Sequence, residues 1–145
     1  MDHSDPAVSV CFIVKIDDQS LGAFNSCEGL GCEMVIEQRE EGGHNGAVWQ
    51  LPTRLKYPNI KLSRPVTKDT AKVTTWFNSV ATGVSHKTAS ITAQTLDGTE
   101  VACWNLMGVV PVRWTGPSLN PDSPKVATET VEIAHHGFET SSKGK

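Results

Sequence analysis

The chain has 145 residues, 38% of them hydrophobic, with 13 Lys and Arg against 16 Asp and Glu for a formal charge of −3. That length suits one domain over residues 1–145 with a core able to stand without staples, and mild acidity with scattered basic residues argues against specific nucleic-acid binding. No uncharged run approaches the ~20 apolar residues of a membrane helix, and the acid-bearing start MDHSDPAVSV does not read as a signal peptide, so a cytoplasmic protein without a membrane segment is expected.

The first element is a strand, because Val8, Val10, Phe12, Val14 and Ile16 alternate onto one face. DDQSLG (17–22) has turn chemistry, AFNSCEGLG reads as a short strand ending in a Gly-rich bend, and CEMVIEQRE (32–40) reads as a third strand. Leu30 in that bend is expected to be a packed anchor. A fourth strand runs from about Ala47 to Leu51 and a fifth is NIKLSR (59–64). The period then changes: Val73, Trp76, Phe77 and Val80 predict one amphipathic helix over about 68–82, with Thr67 as N-cap and Gly83 as C-cap.

After the helix, KTASITAQTL and TEVACWNLMG flank an Asp-Gly pair at 97–98, a strong hairpin signal. Ala89, Ile91 and Ala93 face one way; Thr88, Ser90, Thr92 and Gln94 face the other. VVPVRWTGPSLN follows, with Pro111 suited to an edge or a bulge, then a Pro-rich loop (116–124) and a last strand in KVATETVEIAHHGFE. The core covers about 8–138, with loose ends. The fold class is mainly β: antiparallel strands in a sandwich or barrel with one flanking helix.

No constellation carries chemistry. His44, His86, His135 and His136 show no metal-ligand spacing, and adjacent His135 and His136 point to opposite faces of a strand. Cys11, Cys27, Cys32 and Cys103 form no C-x-x-C and read as reduced thiols in or near a core. No serine sits in a nucleophile elbow, and EEGGHNG lacks the Lys-Ser/Thr of a phosphate loop. Catalytic, metal and cofactor sites are therefore all expected to be none.

The stretch Glu40, Glu41, Gly42, Gly43, His44, Asn45, Gly46 with Trp49 has another use. Folded as a hairpin, residues 40 to 52 project about 20 Å, comparable with the radius of a domain this size. Trp49 and Leu51 on its return arm would be poorly covered in a single copy. Unclosed strand edges add a second reason to expect self-assembly.

In order, CEGLGCE, REEGGHN, LPTRLKYPNIKLSR, PVRWTGPSLN and ETVEIAHHGF resemble the tail-tube proteins of contractile phage tails and phage-tail-like injection systems, over about Val8 to Phe138. The chain departs from that pattern at Thr53 and Pro65, where the family often has glycine. The resemblance implies a Hcp-like fold of two packed sheets, homo-hexameric rings stacked into a hollow tube, and no enzyme activity. It implies a surrounding contractile sheath, baseplate or spike and tube-terminating proteins as partners, room for luminal cargo, and release of the particle on lysis. The hairpin would join neighbouring subunits or rings. Thr88, Ser90, Thr92 and Gln94, with Thr128, Thr130 and Glu132, are the polar residues assigned to the lumen wall. A type VI secretion Hcp-like ring protein and a tube-initiator paralogue at the baseplate are the alternatives.

Overall fold

The computed structural model describes residues 10–17, 19–40, 48–83, 87–117 and 127–139. In chain order the elements are β1 (Val10–Ile16), β2 (Gln19–Phe24), β3 (Ser26–Glu28), β4 (Glu33–Glu40), β5 (Val48–Lys56), β6 (Ile60–Pro65), α1 (Thr70–Ala81), β7 (Lys87–Thr95), β8 (Glu100–Thr115), β9 (Thr128–Ala134) and β10 (Gly137–Phe138). The main sheet is eight-stranded, ordered β2-β1-β7-β8-β9-β6-β3 with β10 also on β8, while among the described residues β4 and β5 pair only with each other.

The main sheet folds about β8, which hydrogen-bonds β7 through its first part and β9 through its last. Inward side chains of both halves form one core, including Val14, Phe24, Ile60, Leu62, Ile91, Leu106, Val131 and Ile133. Alternation explains most of this: Ala89, Ile91 and Ala93 are buried on β7, as are Val131 and Ile133 on β9. On α1 the apolar stripe faces the sheet, with Val73 and Trp76 buried and Phe77 and Val80 packed beside them. Leu30 also packs against the core.

Several boundaries differ from the sequence reading. DDQSLG does not stay a turn: β2 begins at Gln19, and Gly22 (φ 97) sits in a bulge where the β1–β2 register slips. The stretch after Asp97-Gly98 is one continuous strand. Its inward phase slips at Gly108 (φ 61), between buried Leu106 and Val109, and the register slips again between Pro111 and Arg113. Pro111 thus stands at a bulge. The last strand breaks at His135–His136 into β9 and β10.

The helix starts two residues later than expected. Asp69 is its N-cap residue, with no side-chain capping bond, because the Thr67 hydroxyl accepts the Asp69 N–H at 3.2 Å and closes its own turn. Thr82 is the C-cap and Gly83 (φ 102) follows it in the left-handed region, donating to the Val80 carbonyl. Pro65 ends β6 within the ladder, opposite Thr128, so no turn forms there.

Candidate assembly surface

Strands β4 and β5 form an arm with two unlike faces. Cross-strand partners share a face, so Met34 lies beside Leu55, Ile36 beside Pro52 and Gln38 beside Gln50. The other face pairs Glu33 with Lys56, Val35 with Arg54, Glu37 with Leu51 and Arg39 with Trp49. Between Val35 and Ile36 the register slips past Thr53, whose hydroxyl donates to the Val35 carbonyl at 2.8 Å. The threonine-for-glycine departure at position 53 therefore falls on a bulge.

Most apolar side chains of this arm are exposed. Trp49 is 55% exposed, and Met34, Ile36, Val48 and Leu55 lie between 42% and 46%. Leu51 is half-buried, better covered than the sequence suggested. An exposed, unpaired two-stranded ribbon with an apolar face gains little by itself, since an isolated hairpin is at best marginal in water. Glu40 ends β4; Glu41, Gly42, Gly43, His44, Asn45 and Gly46 lie outside the described residues.

The polar residues picked for a lumen wall all point away from the core, on two different halves of the folded sheet. Thr88, Ser90, Thr92 and Gln94 lie on β7, between β1 and β8. Thr128, Thr130 and Glu132 lie on β9, between β8 and β6. Both sets are tied into their surroundings. The Thr88 hydroxyl donates to Asp17 at 3.2 Å, Thr92 to Cys103 Sγ at 3.4 Å, and Asn59 to Glu132 at 3.4 Å, while the Ser63 and Thr130 hydroxyls stand 3.2 Å apart. Lys61, Arg113, Thr115, Thr130 and Glu132 line a shallow cavity of about 100 Å³ on the β9 half.

Two polar groups inside the fold escaped the sequence reading. Arg64 and Glu129 form an ion pair with both side chains almost wholly buried. The signal was present, since Arg64 is in phase with Ile60 and Leu62, and Glu129 with Val131 and Ile133. His135 is also buried. Its Nδ1 accepts the Gly137 N–H at 3.1 Å, and its ring centroid lies 5.3 Å from those of Tyr57 and Phe138. Burial holds its pKa below the ordinary imidazole value. His136 is exposed, so the adjacent histidines do diverge; His44 and His86 lie outside the described residues.

The cysteines split. Cys11 and Cys27 are half-buried, beside the core as expected, whereas Cys32 and Cys103 are exposed; all four are unpaired. Cys32 directly precedes the arm, and Cys103 occupies an outward position of β8, places where strand alternation gives no cover. Burial, with a smaller contribution from Glu28, pushes the Cys27 thiol up to about 11.

The backbone resembles several solved structures. The chain of an extracellular contractile injection system, in the PVC sheath-tube complex in its extended state, superposes with a TM-score of 0.76 at 23% identity, over 96% of this chain and 92% of that one. A chain of the anti-feeding prophage (AFP) baseplate gives 0.75 at 19% identity, over 96% of each. A type six secretion system protein gives 0.53 at 13% identity, over 86% of this chain and 78% of that one. These likenesses establish the fold, two antiparallel layers and a flanking helix of the Hcp-like kind. No sequence among curated proteins matches the chain. The family of the T4-like virus tail tube protein gp19, however, matches residues 8–139, nearly the whole length, and the chain belongs to that tail tube family.

Proposed function

We propose that this tail tube protein is the repeating subunit of the inner tube of a contractile injection particle. Six copies close into a ring, their sheets continue across subunit borders, and rings stack into a hollow cylinder that a contracting sheath drives forward. Its work is mechanical and it catalyses nothing. The particle assembles in the cytoplasm against a baseplate and is capped by a terminator. The observation that carries this reading is the β4–β5 arm, a ribbon that bonds to no other strand among the described residues and leaves its apolar face bare. A second copy supplies the cover that the arm lacks.

The wall of the channel is assigned to the polar outward faces of β7 (Thr88, Ser90, Thr92, Gln94) and β9 (Thr128, Thr130, Glu132), which offer no large apolar group to passing cargo. Chains of the PVC sheath-tube complex and of the AFP baseplate superpose better than the type six secretion protein, which favours the tail-like particle over a type VI ring. Replacing Glu40–Gly46 by a two-residue turn tests the assignment. The variant should keep a native circular dichroism spectrum yet form no tubes when produced with sheath and baseplate. Normal tubes from it would remove the arm from the assembly.

A further inference from the structure

A second exposed apolar site stands at the turn joining β7 to β8. Leu96 is 81% exposed and Val101 62%. Two acids, Asp97 and Glu100, lie between them in the chain, and no base lies between Gln94 and Ala102. Asp97 is held by the Thr95 hydroxyl and, at 3.0 Å, by the Thr99 N–H, which keep its carboxyl below the usual range and therefore ionised. Glu100 has no ion-pair partner among the described residues.

The outer part of the arm is the complement. There Trp49 lies directly across the ladder from Arg39, and Arg39 has no ion-pair partner among the described residues. Glu37 and Leu51 form the next pair inward on the same face. One site is apolar with negative charge, the other an aromatic with a cation at its side. Aromatic and arginine side chains are the groups that most often anchor interfaces.

Resting on the tube-subunit reading, we infer that the arm of one copy seats Trp49 on the Leu96–Val101 turn of a neighbouring copy, with Arg39 facing Glu100. The occupant of the turn is thus a second copy of this chain. Two different patches are engaged, so the contact is heterologous: each copy offers one free arm and one free turn, and the contact repeats rather than closing a dimer. That is the form a growing tube requires. It leaves the opposite face of the arm, with Met34, Ile36 and Leu55, for a further neighbour.

Exchange of charge tests the pairing. Arg39→Glu and Glu100→Arg, each produced with sheath and baseplate, should reduce sedimentable tube at least ~10-fold, and the double variant should recover most of it. Rescue supports the contact. Unchanged tube in both single variants, or a double variant as poor as the singles beside a wild type that assembles, overturns the pairing and leaves the tube reading standing. A wild type that never assembles overturns the tube reading itself. Should either reversal prevent folding, judged by circular dichroism, Arg39→Ala and Glu100→Ala decide through their coupling: strongly non-additive losses support contact, additive losses refute it.

Discussion

Arg64 Nε stands 3.0 Å from Glu129 Oε1, with both side chains shut off from solvent. The other Glu129 oxygen accepts the Thr70 hydroxyl, Arg64 donates through Nη1 to the Leu21 carbonyl, and its guanidinium lies 4.2 Å from the Phe24 ring centre. One pair thereby ties β6, β9, β2 and the start of α1. Removing one partner strands the other charge in the core. Glu129→Ala is expected to cost about 3–5 kcal/mol in urea unfolding, while Arg64→Met with Glu129→Leu costs clearly less. A Glu129→Ala loss below ~1 kcal/mol would show that water reaches the site.

His135 gives the fold a dependence on acid. Its folded pKa lies below the ordinary 6.5, so between those values the unfolded chain binds a proton that the folded ring refuses. This contribution is fully retained above pH 6.5 and diminishes as pH falls toward the folded value, by up to ~1.4 kcal/mol per unit. In His135→Asn, which retains an acceptor for the Gly137 N–H, the denaturant midpoint should vary less over that window. Identical pH profiles would assign the dependence to other groups.

The two glycines of the Gly-rich bend differ. A Cβ on Gly29 (φ 94) would stand 2.2 Å from the Asn59 carbonyl oxygen, whereas one on Gly31 meets nothing within 4 Å. Gly29→Ala should lose about 2 kcal/mol or more and Gly31→Ala within ~0.5 kcal/mol of none, read from thermal unfolding of the two variants side by side.

Ile36 separates folding from assembly. It is 42% exposed, on the apolar face of the arm. Ile36→Lys should change the stability of the isolated chain by less than ~0.5 kcal/mol. It should nevertheless abolish tubes, because a lysine there would be desolvated on contact with a neighbour. Electron micrographs of the variant with normal tubes would free that face of any assembly role.

Thiol labelling should rank the cysteines. With its thiol near 11, Cys27 exposes only about one thiolate in a thousand at pH 8. Alkylation read by mass spectrometry should mark exposed Cys32 and Cys103 well before Cys27. Early labelling of Cys27 would mean that β3 opens readily.

The sequence disclosed those elements whose periodicity is unbroken. Val73, Trp76, Phe77 and Val80 located the helix, and Ala89, Ile91 and Ala93 assigned the inward face of β7. Where one extra residue enters a strand, alternation reverses and the pattern reads as an end. Gly22 made β2 resemble a turn, and Gly108 divided β8 in two. The bare tryptophan of the arm was legible, but its sorting of Met34, Ile36 and Leu55 from Arg39 and Arg54 was not, because a register slip at Thr53 decides it. Arg64 and Glu129 were overlooked because each is a charge on an inward position, which makes sense only once the partner across the ladder is known.

Strand β8 runs unbroken for 16 residues and belongs to both halves of the barrel-like body. The β7 ladder and the β9 ladder follow one another along that single strand, so a pull on either half passes to the other through covalent backbone. Amide exchange should accordingly find one slow block spanning β7, β8 and β9, with the β4–β5 ribbon exchanging on its own faster clock until a neighbour clamps it.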